Sequence, residues 1–151
     1  MNESGIDITD EYTINADTER GKFIIEEGYR KTERKKEIAV ARWIFQTFGG
    51  NITLLAETDS VYMGKRADYL WRGKLWELKN TGSAKAIDSA LRKALQQIRE
   101  NPGGVIIDIG KSRDAIKRIE SVINERVRKS CRFSLDIMII KNKTLLKVLR
   151  Y

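Results

Sequence analysis

Histidine is missing altogether from this sequence, and cysteine and proline occur once each in 151 residues. Without histidine, acid–base chemistry falls to Lys, Arg, Glu, Asp, Thr or Tyr. The lone Cys131 excludes an internal disulfide. With no histidine beside it, it also leaves no zinc-ligand set and no Cys–His nucleophile pair. That usage fits a reducing compartment. No apolar run approaches membrane-spanning length, and MNESGIDITDEYTI has neither the basic nor the apolar region of a signal peptide. Action in the cytosol, with no membrane partner, is therefore expected. A single proline and 33% charged residues suit helices and strands joined by short loops, and 41% hydrophobic residues can fill the core of one domain.

Charge is unevenly placed. Residues 1–20 hold six acids and one base, a net −5, while the whole chain carries +8. Residues 21–151 therefore carry +13, a basic body behind an acidic segment. A body this basic favours a polyanion, most simply DNA or RNA; the plain alternative is solubility alone. Residues 1–20 read as an acidic, flexible N-terminal segment, and 21–151 as the working domain.

Periodicity orders the rest. Residues 21–30 fit either a short strand or a helix. Residues 31–48 read as a helix with Ile38, Ala41, Ile44, Phe45 and Phe48 on one face, stopped by Gly49-Gly50. NITLLAE (51–57) is a strand, 58–65 a loop, and 67–80 a hairpin. A second helix runs from about Ser83 to Arg99, capped by Thr81 or Ser83 and ended by Asn101-Pro102-Gly103-Gly104. VIIDI (105–109) is a strand buried on both faces. A third helix follows from about Ser112 to Lys129, and residues 133–140 and 144–150 close the chain as a second hairpin. The order α-β-β-β-α-β-α-β-β predicts a single α/β or α+β domain.

The hairpin ADYLWRGKLWELKN carries the chemistry. A turn at Arg72-Gly73 pairs residues so that each pair of numbers sums to 145, which sets Asp68 opposite Glu77 and Arg66 opposite Lys79. Alternation then puts Arg66, Asp68, Leu70, Leu75, Glu77 and Lys79 on one face. Ala67, Tyr69, Trp71, Trp76 and Leu78 fall on the other, an aromatic face suited to packing on a helix. Opposed acids repel across a ladder. A bound cation relieves that, or Lys79 and Arg66 do so alone. Two adjacent carboxylates suit Mg²⁺, which keeps several waters and lowers the pKa of one of them. Lys79 is placed to orient that water or to stabilise charge on a phosphate. A solvated face with an inconsequential Glu–Lys pair is the plain alternative.

These residues resemble the PD-(D/E)XK nuclease superfamily, whose core is α-β-β-β-α-β with an acid on one strand and Glu-x-Lys on the next. Here the pattern is Ala67-Asp68 and Glu77-Leu78-Lys79, with alanine in the proline position. The resemblance implies Asp68, Glu77 and Lys79 as catalytic residues and Asp68 and Glu77 as metal ligands, joined by Glu37 from the first helix. Gln96 and Gln97 stand for the glutamine some members add. GKRADYLWRGKLWELKN, the basic helix after it and GGVIIDI are similar to the C-terminal tRNA-cleaving toxin domains of CdiA-type contact-dependent inhibition proteins, related to modules at the ends of phage head-morphogenesis proteins. That likeness implies a nuclease acting on tRNA, a dedicated immunity protein as inhibitor, elongation factor Tu as a further partner, and action in the cytosol of a neighbouring cell. Some such toxins instead have the barnase/EndoU/colicin/RelE fold, an antiparallel sheet that cleaves RNA without metal.

Candidate phosphate contacts are Lys65, Arg66, Lys85, Arg92, Lys93 and Gln96, beside or just after the hairpin; a solvated helix face explains those on the helix equally. A module that binds nucleic acid without cutting it, or a DNase, stays open. Tyr69, Trp71 and Trp76 read as core before base-stacking platforms, because they share one sheet face. Asp108 reads either as a further acid near the site or as a paired structural group.

Overall fold

The computed structural model describes residues 4–17, 21–57, 66–110 and 112–151. In chain order, the elements are β1 (Ile6–Asp7), α1 (Thr9–Ile14), β2 (Phe23–Ile25), α2 (Lys35–Phe48), β3 (Ile52–Leu54), β4 (Tyr69–Trp71) and β5 (Lys74–Asn80). Then come α3 (Ala84–Ile98), β6 (Pro102–Asp108), α4 (Ile116–Ser130), β7 (Asp136–Ile140) and β8 (Leu145–Arg150). The segment 21–30, open between helix and strand, supplies β2. The Ser83 hydroxyl caps α3 by accepting the Ala86 N–H. Gly49 at φ 76° lets the chain leave α2 in a conformation closed to most side chains.

The eight strands of the described residues form one sheet in the order β1-β8-β7-β6-β5-β4-β3-β2. The pairs β5–β6, β6–β7 and β2–β3 are parallel and the others antiparallel. The expected α-β-β-β-α-β order is realised as α2-β3-β4-β5-α3-β6, and the wholly antiparallel alternative is not adopted. The domain is mixed α/β, with four helices among the described residues. On one face, α3 and α4 cover Val105, Ile107, Ile137 and Ile139 with stripes that include Ile87, Leu91, Ile119 and Ile123. On the other, α1 and α2 cover Tyr69, Trp71, Trp76, Leu78, Ile106 and Met138. The central strands are thus buried on both sides, which is why VIIDI is apolar throughout.

The register of the β4–β5 hairpin is the expected one: Tyr69 faces Trp76, Leu70 faces Leu75 and Trp71 faces Lys74. Both turn residues have positive φ, 52° at Arg72 and 77° at Gly73, the two-residue geometry that matches strand twist. Arg72 is held there by its N–H to the Asn51 carbonyl and its guanidinium to the Phe48 carbonyl, both at 2.9 Å.

Three expectations are corrected. Within the segment read as an irregular tail, Ile6–Asp7 pair with β8 and α1 docks on the sheet. One acid there is structural: Glu11, together with Asp136 of β7, grips Arg150, and the buried Tyr12 hydroxyl donates to Asp136. Pro102-Gly103-Gly104 is not a loop but the start of β6. The backbone here is closely packed: a Cβ at Gly103 would come 2.4 Å from Trp76 Nε1, and one at Gly104 would come 2.1 Å from the Asp136 carbonyl oxygen. Ala67 packs in the α3–α4 layer rather than beside Tyr69, because β4 begins only at Tyr69.

Candidate active site

Asp68 sits just ahead of β4 and Glu77 in mid-β5, and the two are buried, 5% and 1% exposed. Their carboxylates lock each other's strands. Glu77 Oε1 accepts the Asp68 N–H at 3.0 Å, and Asp68 Oδ2 accepts the Leu78 N–H at 2.8 Å. One oxygen of each acid is therefore fixed by backbone. The other oxygen of each meets a cation: Asp68 Oδ1 takes the Arg34 guanidinium, and Glu77 Oε2 lies 3.2 Å from Lys79 Nζ. Burial first, then contact with the Asp68 carboxyl, pushes the Glu77 carboxyl up to about 8, against the pull of Lys79.

The cleft above these groups has a volume of about 260 Å³, and Arg34, Glu37, Glu57, Asp68, Glu77 and Lys79 are among its lining residues. Glu37 thus reaches the same cleft, brought there by the first turn of α2, whose backbone carbonyl at Glu37 accepts the Tyr69 hydroxyl at 2.6 Å. It does not close a three-acid cage, however: among the described residues no group of three His, Cys, Asp or Glu side chains is arranged to hold a metal. Asp68 and Glu77 are the two residues that would hold a Mg²⁺, an ion that takes one or two carboxylates and keeps water elsewhere. Their backbone bonds use one oxygen each and leave the other to the side-chain cations Arg34 and Lys79.

Arg34 was not visible as a site residue in the sequence. One signal was there: the helix opens on Arg34-Lys35-Lys36, cations at the end of a helix where the dipole disfavours them. Such a start implies acids nearby. Arg34 meets Asp68, and Lys36 Nζ lies 3.4 Å from Asp108 Oδ2. Asp108 is a paired group, since its Oδ1 also accepts the Gly110 N–H at 2.9 Å. It nonetheless stands at the edge of the sheet where the cleft opens.

The predicted phosphate contacts separate. Arg66 is committed to Glu26 at 3.0 Å and to the Ala56 carbonyl at 2.9 Å, where it ties β2 to β3. It therefore takes no part in relieving the acid pair. Lys85 is exposed in the first turn of α3, at the cleft's edge of the sheet. Arg92 and Gln96 line a separate hollow with Arg99 and Phe133, towards the far end of α3. Lys93 lies in the same half of the helix, and Gln97 has a buried side-chain oxygen without a partner. Lys65 falls outside the described residues. Tyr69, Trp71 and Trp76 are buried, so they are core.

The fold has a known counterpart. The chain is similar in structure to a chain of the CdiA-CT/CdiI toxin and immunity complex from Burkholderia pseudomallei, with a TM-score of 0.58 at 12% identity, over 85% of this chain and 99% of that one. No protein-family model matches the sequence, and no curated protein is similar to it in sequence. At this identity the likeness is one of fold: an α/β domain of the kind found in that CdiA-CT/CdiI complex.

Proposed function

We propose that this chain is a nuclease toxin domain that hydrolyses phosphodiester bonds in nucleic acid, tRNA first, at Asp68, Glu77 and Lys79. The observation that carries the reading is the lock between the two acids. Each carboxylate is fixed by a strand N–H through one oxygen and turns the other into a cleft beside Lys79. A carboxyl raised to about 8 still holds its proton at neutral pH, and the ionised form that can accept a proton from water grows as pH rises through that value. In the proposed step the ionised Glu77 carboxylate takes a proton from a water whose oxygen bonds to phosphorus, the ester P–O bond breaks, and the departing oxygen takes up a proton from solvent. Lys79 lies where it can neutralise charge gathering on the phosphate. A divalent ion, if bound by Asp68 and Glu77 in place of Arg34, would supply a more acidic water and a counter-charge for the phosphate.

A dedicated immunity protein is the proposed partner, consistent with the similar fold in a toxin and immunity complex. Elongation factor Tu and action in the cytosol of a neighbouring cell are carried only by the sequence resemblance. The test is incubation with tRNA and with DNA, in Mg²⁺ and in EDTA. Cleavage of tRNA that is lost in EDTA supports the reading. Cleavage that survives EDTA retains the nuclease and removes the metal. A second reading, a binding module without chemistry, has one observation in its favour: Arg34 and Lys79 already give each carboxylate a cation. Binding without turnover would support it.

A further inference from the structure

Three helices begin at the same edge of the sheet. Because β5, β6 and β7 are parallel neighbours, their carboxyl ends align, and α3, α4 and the β7–β8 turn all leave from that edge. The start of α2 reaches it from the other face, where Lys36 meets Asp108 at the end of β6. The tie from Asp114 to the Ala84 N–H at 2.7 Å holds the starts of α3 and α4 together. The Asn142 N–H, 3.4 Å from Asp108, holds the turn against the same group.

Every one of these starts is cationic. Lys35 and Lys36 open α2, Lys85 lies in the first turn of α3, and Lys117 and Arg118 in that of α4. Neither α3 nor α4 has an acid in its first turn. Lys141 and Lys143 flank the turn. The helix dipole disfavours cations at a helix start, and this chain places them at all three. Lys35, Lys85, Lys117, Lys141 and Lys143 are exposed, and among the described residues none is seen in an ion pair. By contrast, the cations at the end of α4, where the dipole favours them, include Lys129 and Arg128 paired with Glu125. At the same edge Thr81, fixed by its N–H to the Asp108 carbonyl, keeps a buried hydroxyl without a partner.

We infer that this edge is the nucleic-acid track. Phosphates of an RNA backbone lie along Lys85, Lys117, Lys141 and Lys143 and lead the strand over the Asp68–Glu77 cleft. The inference rests on the nuclease reading for its choice of polyanion. It moves the contact surface away from Arg92 and Lys93, in the far half of α3, and onto three chain segments, the starts of α3 and α4 and the β7–β8 turn.

The test is tRNA binding as a function of salt, with Glu77→Gln as background so that the probe stays whole. Each phosphate contact removed lowers the slope of log K against log salt by about 0.7 to 0.9, or about six-fold in affinity at 0.1 M salt. Lys85→Ala with Lys117→Ala should lose about two such contacts. Lys141→Ala with Lys143→Asn should do the same, asparagine being chosen because position 143 has a φ of 61°. Arg92→Ala with Lys93→Ala should leave slope and affinity unchanged. Unchanged slopes in both edge variants, or an equal loss in the Arg92/Lys93 variant, would overturn the track. If wild-type protein binds through the edge but leaves RNA intact, the track stands and the nuclease reading falls. If it cleaves and the edge variants bind normally, the reverse holds.

Discussion

Replacing Glu77 with glutamine isolates the electrostatic strain of the acid pair. In the folded chain the Glu77 carboxyl is raised from 4.5 to about 8, first by burial and then by Asp68. Between those two values the folded state holds the proton more tightly than the unfolded chain. Stability therefore falls as pH rises through that window and is fully recovered only below about pH 4.5. A shift of this size corresponds to about 5 kcal/mol at most, at about 1.4 kcal/mol per unit, a large fraction of the about 5–15 kcal/mol that holds a domain together. Glutamine imitates the protonated acid, keeps an oxygen for the Asp68 N–H and cannot ionise. Urea unfolding from pH 5 to 9 should show the wild type losing several kcal/mol while Glu77→Gln loses much less, so that the variant is the more stable protein at pH 9. Saturating Mg²⁺ should restore the wild type there, by about 2.7 kcal/mol at one hundred times its dissociation constant, and leave the variant unmoved. Identical pH profiles for the two proteins would refute the reasoning.

Two further outcomes follow from the packing. Gly104→Ala drives a Cβ to within 2.1 Å of the Asp136 carbonyl oxygen and 2.6 Å of the Trp76 ring, so it should cost about 1–3 kcal/mol or more, read as a lower melting temperature; an unchanged melting temperature would contradict that packing. Tyr29→Phe removes a buried hydroxyl with no partner while keeping the ring under Arg34, so stability should hold or rise; a loss above about 1 kcal/mol would show that the hydroxyl is satisfied.

The hairpin was legible because its information is local. A two-residue turn fixes pairing, pairing fixes faces, and Asp68 meets Glu77 with no appeal to the rest of the chain. The stripes of α2, α3 and α4 were legible for the same reason. What the sequence hid is tertiary. Arg34 lies 34 residues from Asp68, and only the docking of α2 brings the two together. Residues 1–20 read as a solvated tail because the partners of Glu11 and Tyr12, Arg150 and Asp136, lie at the other end of the chain. The basic residues of α3 looked equivalent along the helix, yet its start and end lie at opposite edges of the sheet. The end reaches the hairpin turn, where Asn101 donates to the Gly73 carbonyl, so parallel strand order decides which cations face the cleft.

The central claim is that Asp68, Glu77 and Lys79 form a hydrolytic site. Its most direct test is the single-turnover rate of tRNA cleavage in Mg²⁺ by wild type and by Lys79→Ala, with folding of both confirmed by urea unfolding. The account predicts cleavage by the wild type and a loss of about 100-fold or more in the variant. Equal rates in two folded proteins, or no cleavage by the wild type, would contradict it.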